Sequence, residues 1–276
     1  MPLRSQLPQP LIQDVPLHEL LLQSLRSHDP QTVLFITSET GRKYTAADIL
    51  TAANGVASAL FTKGLRKGDV VAYCMYNCPQ VAAALIGTWM CGGVISGINP
   101  DYTKTEFQKC FRMCDAKFVI TQKALLKEIH ESAIYQGSMI KMIFLMDEDE
   151  DNLTSLPEQV TQLGATAAKV QLVPIPPIKF WTKTDLSLML FSSGTTGPPK
   201  AVMLSHYGPC AWTQIMRNMP ILILPTCRDH IIAYLPYFHI FGIYTLLNCL
   251  DIGFCSVTME KFKFETFLQL LQQYKV

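Results

Sequence analysis

The chain has 276 residues, of which 49% are apolar and 16% are charged. This balance is typical of a globular protein with a large buried core, and it excludes a disordered chain. The formal net charge of +1 gives no support to nucleic acid or an anionic membrane surface as a partner.

The first half of the chain is predicted to alternate between strands and helices. A leucine-rich segment at 17–25 has helical spacing, and Thr45 is suited to cap a helix over 46–63 because its hydroxyl can accept from a free backbone N–H of the first turn. Strands alternating with helices at this pitch predict parallel βαβ units with right-handed crossovers. The other predicted elements are strands at 32–35, 70–75, 94–98, 117–121 and 140–146 and helices at 79–90 and 106–113.

The most informative segment is a loop that follows a strand-length apolar run at 186–191. Its glycines let successive N–H groups converge on one anion, its hydroxyls add donors, and Lys200 adds a positive charge. The pattern is not a Walker A loop, because two prolines stand between Gly197 and Lys200. The residues alone leave two interpretations open, a polyphosphate cradle and a plain connector. The loop consists of Ser192, Ser193, Gly194, Thr195, Thr196, Gly197, Pro198, Pro199 and Lys200.

The remaining segments are connectors and one further helix. The acidic run at 147–151 is expected on a solvated loop, and the proline-rich stretch at 174–178 is expected to be extended and to mark a subdomain boundary. Ser205-His206 is expected to cap the helix that follows it. An amphipathic pattern predicts a last helix at 264–274.

Cysteine usage and the N-terminus indicate an intracellular protein. The nine cysteines lie mostly among apolar neighbours without the spacing of paired zinc ligands, so reduced thiols and no metal site are expected. Residues 1–30 contain no apolar signal core. Uncharged stretches at 81–98 and 231–250 are long enough to raise the question of a membrane span. Their glycines, proline and polar residues favour buried helices and strands, so no transmembrane segment is expected.

Three motifs together resemble the adenylate-forming superfamily, which contains acyl-CoA synthetases, 4-coumarate:CoA ligases and beetle luciferases. The segment at 191–202 resembles the phosphate loop of that superfamily, and Leu-Pro-Tyr-Phe-His-Ile-Phe-Gly at 235–242 resembles its next motif. Gly92-Gly93 with the segment at 99–103 is similar to the part that follows the superfamily's first long helix. The motifs stand in family order, and the resemblance runs from about Gly41 to the last residue.

The resemblance implies an α/β fold with two flavodoxin-like α/β subdomains packed as layered sheets and helices. An N-terminal extension at 1–30 would precede a partial AMP-binding (adenylation) domain at 31–276. Within that domain, residues 65–175 would form one subdomain, and 31–64 plus 180–276 the other. The C-terminal lid domain of the family, with its catalytic lysine, is expected to be absent from this sequence.

The resemblance also implies an acid–thiol ligase that uses ATP, Mg²⁺ and coenzyme A. In that reaction a small carboxylic acid attacks the α-phosphate of Mg·ATP to give an acyl-adenylate and pyrophosphate, and a thiol then takes the acyl group. Donors fixed around the leaving phosphates lower the barrier of the first step. By resemblance, the residues that bind the ATP phosphates are Ser192, Ser193, Gly194, Thr195, Thr196, Gly197 and Lys200.

Three further residues take roles by resemblance, and each has a simpler alternative. His239 would be a catalytic residue at the carboxylate end of the acyl pocket that helps to gate the thiol tunnel, whereas a lone histidine in an apolar segment is more often a packed core residue. Phe241 would line the acyl pocket, or would belong to the core. Lys261 matches a basic position that contacts coenzyme A in some relatives, or is a solvated surface lysine.

The sequence stops at Val276, before the adenine- and ribose-binding motifs of the family. We therefore expect this chain alone to have weak or no ligase activity, as part of an enzyme of the cytoplasm or the peroxisome without a targeting signal here. A catalytically inactive form that binds a nucleotide or a partner is the alternative. A luciferase-type oxygenase shares the same motifs, and the identity of the carboxylic acid is left open.

Overall fold

The computed structural model describes residues 11–146, 160–162, 172–192, 200–218 and 229–276. Within them, helices and strands alternate along much of the chain, and the predicted elements are confirmed. The helices are α1 (Leu17–Ser27), α2 (Ala46–Thr62), α3 (Gln80–Met90), α4 (Lys104–Met113), α5 (Leu126–Ala133), α6 (Tyr207–Arg217), α7 (Ile240–Ile252) and α8 (Phe264–Tyr274). The strands are β1 (Val33–Thr37), β2 (Lys43–Thr45), β3 (Val70–Cys74), β4 (Val94–Gly97), β5 (Ala116–Thr121), β6 (Met142–Leu145), β7 (Val160–Gln162), β8 (Leu186–Ser192), β9 (Lys200–Ser205), β10 (His230–Ala233) and β11 (Cys255–Thr258).

In the described part of the chain, seven strands form the larger sheet, in the order β7-β6-β5-β3-β4-β8-β9. Neighbouring strands are parallel except for β9, which runs antiparallel to β8. The central strand β3 is buried along its whole length, as expected of a parallel strand with both faces covered. Strands β8 and β9 follow the boundary predicted at 174–178, so this sheet continues past it. The subdomain limits themselves stay a prediction.

The smaller sheet has four strands among the described residues, in the order β10-β11-β1-β2. Helices α1, α2, α3 and α7 lie between the two sheets, because their buried side chains share one core with one face of each sheet. Helices α4 and α5 cover the other face of the larger sheet, and α8 covers the outer face of the smaller one. The predicted layering of sheets and helices is therefore confirmed.

Helix α1, which the sequence analysis placed in an N-terminal extension, is part of this core. Leu17 and Leu21 are completely buried, and Leu20 and Leu25 are each 2% exposed. Burial of one leucine side chain stabilises a fold by about 1.5–3 kcal/mol. The helix is thus an integral packing element of the domain.

The two uncharged stretches weighed as membrane spans divide between secondary structure elements. Residues 81–98 contain most of α3 and all of β4, and residues 231–250 contain most of β10 and α7. None of the helices in the described part of the chain is both long and apolar enough to cross a membrane. In the same part, no group of three or more His, Cys, Asp or Glu side chains is placed to hold a metal ion.

Two histidines pack together where α1 meets the start of α6. His18 and His206 are 6% and 0% exposed, and the ring of Phe180 lies within 5.1 Å of each imidazole. The Leu17 N–H donates to Nδ1 of His206 at 3.3 Å. Helix α6 has no side-chain cap hydrogen bond from His206, so the capping role expected for this residue is wrong; the ring is directed inward instead.

Burial keeps both imidazoles neutral near pH 7. It lowers the pKa of His18 to about 3 and the pKa of His206 to about 4, and in His206 the nearby Asp185 opposes this effect only in part. Burial raises the pKa of Asp185, but hydrogen bonds from Lys67 and from the Trp181 N–H lower it by more, so this carboxyl titrates below its ordinary range. Between pH 7 and 5.5 both histidines therefore stay neutral in the folded chain, whereas in the unfolded chain, where they have their ordinary pKa, they take up protons.

Acidification is expected to destabilise the fold through these two residues. The unfolded chain binds protons on both histidines below about pH 6.5, whereas the folded chain does not, so stability rises with pH across this window. We expect each histidine to lower the free energy of unfolding by about 1 kcal/mol between pH 7 and pH 5.5. Urea titrations of His18→Phe should show half of the wild-type pH dependence. His130→Gln, on α5, should keep the full pH dependence of the wild type. A pH dependence of His18→Phe equal to that of the wild type would contradict the role given to His18.

Candidate functional site

The β8–β9 hairpin holds the two ends of the predicted phosphate loop. Ser192 lies opposite Lys200 in the antiparallel pairing, and its hydroxyl donates a long hydrogen bond of 3.5 Å to the Lys200 carbonyl oxygen. Lys200 is exposed. The hairpin therefore presents a hydroxyl and a cation at the base of the loop. The other predicted phosphate-binding residues, Ser193, Gly194, Thr195, Thr196 and Gly197, lie outside the described residues.

The loop leaves the larger sheet at the carboxyl ends of its parallel strands. Strand β8 is parallel to β4, with Leu190 opposite Gly97, so Ser192 stands just beyond the end of β4. Open α/β sheets bind ligands at this edge, where loops carry the functional groups and the strands fix their positions. The predicted anion site thus lies where the fold favours one.

A cavity of about 470 Å³ opens between the carboxyl ends of four strands, two from each sheet. Strands β3 and β4 of the larger sheet and β10 and β11 of the smaller sheet each lead into its lining. Its volume is in the range of small-molecule sites, about 300–1,000 Å³. The lining residues are Tyr76, Asn77, Asn99, Pro100, Asp101, Tyr234, Leu235, Pro236, Phe238, Glu260, Lys261 and Phe262.

His239 directly follows the lining residue Phe238, at the N-cap of α7. Its side chain is exposed, and Phe241 in the first turn of α7 is 64% exposed. The alternatives in which these two residues belong to the core are therefore wrong. Both side chains stand at the positive end of a helix, where an anionic group is favoured.

Lys261 pairs with Asp101 in the wall of the cavity. Its Nζ lies 3.1 Å from Oδ1 of Asp101 and 4.2 Å from the centre of the Tyr76 ring, and the Tyr76 hydroxyl donates to the same carboxylate oxygen at 2.8 Å. Hydrogen bonds with Tyr76 and Asp101 raise the pKa of Lys261, so it carries a positive charge. Exposed pairs of this kind contribute about 0–1 kcal/mol to stability, so Lys261 can exchange Asp101 for another anion at low cost.

The family model for AMP-binding enzymes matches residues 23–276. The chain belongs to the AMP-binding enzyme family. A 4-coumarate–CoA ligase of Vanilla planifolia is 30% identical to it over 279 residues, covering 99% of this chain and 48% of that enzyme. A probable 4-coumarate–CoA ligase of Dictyostelium discoideum is 28% identical and is covered to 50%. This AMP-binding chain thus spans about half the length of the curated relatives it matches.

Solved structures of other proteins share the fold of this AMP-binding domain. A red-emitting luciferase from Phrixothrix hirtus superimposes with a TM-score of 0.85 at 25% identity, over 98% of this chain and 51% of the luciferase. A long-chain-fatty-acid-CoA ligase from Archaeoglobus fulgidus gives a TM-score of 0.83 at 20% identity, over 99% of this chain and 52% of that one. The fold is that of the N-terminal part of an adenylate-forming enzyme. The structural similarity covers α1 as well, so it begins before Gly41, where the resemblance carried by the three motifs starts.

Sequence reasoning missed the residues that hold the His239 segment of this AMP-binding domain in place. Gly97 ends β4 so close to that segment that a Cβ atom there would lie 2.7 Å from the Phe238 carbonyl oxygen. Asn77 and Tyr73 bind the same segment through their side chains. The signal for Asn77 was its position, since it is a polar residue shortly after a fully buried strand, at the carboxyl edge of the sheet.

Proposed function

We propose that the chain forms the part of an ATP-dependent carboxylate–coenzyme A ligase that binds the ATP phosphates and the acid. The observation that carries this proposal is the β8–β9 hairpin, which sets Ser192 and Lys200 at the base of the glycine- and hydroxyl-rich loop. Its position at the carboxyl edge of the sheet, beside the cavity, supports the same role. Membership of the AMP-binding family and the names of the relatives agree with it.

In the first step, a carboxylate oxygen of the acid attacks the α-phosphorus of Mg·ATP. The bond between that phosphorus and the bridging oxygen breaks, and pyrophosphate leaves with the electron pair. Negative charge therefore grows on the leaving group. Lys200, Ser192 and the loop residues 193–197 would stabilise it with a cation, hydroxyls and backbone N–H groups.

In the second step, the coenzyme A thiol attacks the acyl carbonyl carbon and gives up its proton to solvent; the bond from that carbon to the phosphate oxygen breaks, and AMP leaves with the electron pair. His239 would lie at the carboxylate end of the acid, because the N-terminus of α7 favours an anion there. The exposed ring of Phe241 would line the acyl group, which points to an aromatic or fatty acid. Lys261 would bind a coenzyme A phosphate in exchange for Asp101.

A nucleotide-binding module without ligase turnover is the second candidate. The observation that favours it is that the chain matches only about half of the length of these relatives. We propose that groups which complete the reaction belong to the part of those relatives that the chain does not match. Weak turnover together with clear ATP binding is therefore the expected result for residues 1–276.

Replacing Lys200 with methionine is expected to weaken ATP binding about 10- to 100-fold. A hydrogen bond to a charged group contributes about 1.5–3 kcal/mol, and methionine keeps most of the length of the side chain while removing its charge. Calorimetric titration of the chain with Mg·ATP measures the effect. Lys127→Met, on the exposed surface of α5, removes the same charge elsewhere and should bind like the wild type.

ATP–pyrophosphate exchange in the presence of 4-coumarate or a fatty acid then separates the two candidates. Exchange that depends on the acid supports the ligase, and binding without exchange supports the nucleotide-binding module. Equal ATP affinities of wild type and Lys200→Met would contradict the role of the hairpin.

A further inference from the structure

The side chain of Asn77 binds the end of β10 and the loop that follows it. Asn77 follows β3 at its carboxyl end and is 6% exposed. Its Nδ2 donates to the carbonyl oxygens of Ala233 at 3.3 Å and Leu235 at 2.8 Å, and its Oδ1 accepts from the Tyr237 N–H at 2.8 Å. A single amide thus binds three backbone groups, one at the end of β10 and two in the loop that joins β10 to α7.

A second side chain of β3 binds the same loop. The Tyr73 hydroxyl donates to the Tyr237 carbonyl oxygen, and the Tyr237 hydroxyl lies 3.0 Å from Oγ of Ser256. Two residues further on, the His239 N–H donates to the Pro236 carbonyl oxygen at 3.1 Å. The backbone that carries His239 is therefore fixed from the larger sheet by Asn77 and Tyr73, through Tyr237.

These contacts have a consequence for His239. The imidazole itself is exposed, and it stands at the junction of the loop and α7. Its position is thus set by the backbone of the loop. The buried amide of Asn77 fixes that backbone at both ends, since Ala233 closes β10 and Tyr237 precedes His239 by two residues.

We propose that Asn77 is a positioning residue for His239, which it holds at the edge of the cavity; its importance for the reaction rests on the proposed function. The amide suits this task because it offers two donors and an acceptor from one planar group. An aspartate of the same size would keep the acceptor and lose both donors, and it would turn a carboxylate oxygen toward two carbonyl oxygens. The loop would then move away from β3 and take His239 with it.

The test compares Asn77→Asp with Asn54→Asp in chains carrying ¹³C-labelled histidine. Asn54 is the matched control, because its Nδ2 also donates to a backbone carbonyl, that of Leu50 in α2, at 2.8 Å. We expect Asn77→Asp to shift the imidazole NMR signal of His239, assigned with a His239→Gln variant, and to leave the signal of His130 unchanged. The Ile243 N–H donates to the His239 carbonyl oxygen at 3.0 Å, so it reports on the same segment. Hydrogen exchange of the His239 and Ile243 amides is expected to become about tenfold faster, the effect of weakening one hydrogen bond. Asn54→Asp should change neither.

Tyr73→Phe keeps the test decisive if Asn77→Asp does not fold. It removes one hydroxyl, leaves the buried ring, and adds no charge. We expect a smaller shift of the His239 signal and faster exchange of the same two amides. Wild-type His239 signals and exchange rates in the folded variants, with a lower unfolding free energy alone, would show that Asn77 only supports the fold and would overturn the proposal.

The positioning role and the proposed function fail in different ways. The NMR and exchange readouts need no turnover, so they report on Asn77 even in a chain that does not activate an acid. A shifted His239 signal together with absent ATP binding in the wild type would support the positioning and contradict the ligase. An unshifted His239 signal in Asn77→Asp, together with acid-dependent ATP–pyrophosphate exchange in the wild type, would support the ligase and contradict the positioning role.

Discussion

Replacement of Arg217 by methionine is expected to lower the free energy of unfolding by about 3–5 kcal/mol. The carboxylate of Asp251 on α7 is completely buried, and its two oxygens accept from Nε and Nη2 of Arg217 on α6. Ser24 of α1 donates to the same carboxylate at 2.6 Å. Without the guanidinium, the buried carboxylate of Asp251 loses this cationic partner, and the cost of keeping a charge in the interior is no longer offset.

Urea unfolding of three further variants checks this expectation. Arg26→Met removes an exposed arginine of α1 and should cost less than about 0.5 kcal/mol. The double variant Arg217→Met/Asp251→Asn should be more stable than Arg217→Met alone, because an amide leaves no charge behind. A cycle closed with Asp251→Asn measures the coupling between the two side chains. Arg217→Met and Arg26→Met of equal stability would show that the pair does not stabilise the packing of α1, α6 and α7.

Local signals in the sequence were sufficient to predict most helices and strands. Thr45 caps α2 as predicted, since it accepts from the Asp48 N–H at 3.2 Å while the Asp48 carboxylate accepts from the Thr45 N–H at 2.8 Å. These four-residue interactions form within one turn and need no distant partner. Helix α3 was predicted from another local signal, its apolar run, and nine of its eleven residues are buried.

The order of the strands could not be predicted from local signals. Strand β1 pairs with β11, with Phe35 opposite Ser256, and β4 pairs with β8. Such pairings depend on contacts between segments far apart in the chain, and a single sequence carries no direct record of them. The antiparallel strand β9 was missed for a different reason, because it follows two prolines and its Val202 and Met203 are exposed.

Only part of the candidate site could be predicted, because several of its contacts also join segments that are far apart in the chain. The hairpin residues Ser192 and Lys200 belong to one contiguous motif, so the sequence located them. The partner of Lys261 was not predicted, because Asp101 reaches it from another sheet across the cavity. His206 was expected to cap α6, but its side chain is buried, because helix α1 covers it.

Replacement of Gly242 by alanine is expected to lower the free energy of unfolding by about 3 kcal/mol, at the upper end of the range for overpacking. A Cβ atom on Gly242 would overlap the Pro236 carbonyl oxygen and lie 2.6 Å from its carbon, with the Leu235 carbonyl oxygen 3.0 Å away. These are backbone atoms, which cannot rotate out of the way as a side chain can. The first turn of α7 and the loop before it must therefore separate.

Gly208→Ala supplies the matched control for Gly242→Ala. Gly208 also lies in the first turn of a helix, α6, and a Cβ atom there meets nothing within 4 Å. Alanine at that position is expected to be neutral or to stabilise the chain by up to about 1 kcal/mol, because glycine is the poorer helix former. Urea unfolding compares the two variants, and equal stabilities would contradict the close approach at Gly242.

Because Pro236 also accepts from the His239 N–H, the separation forced by the new methyl group should break that bond. Gly242→Ala should therefore show both a loss of stability and faster hydrogen exchange of the His239 amide. Gly208→Ala should show neither effect.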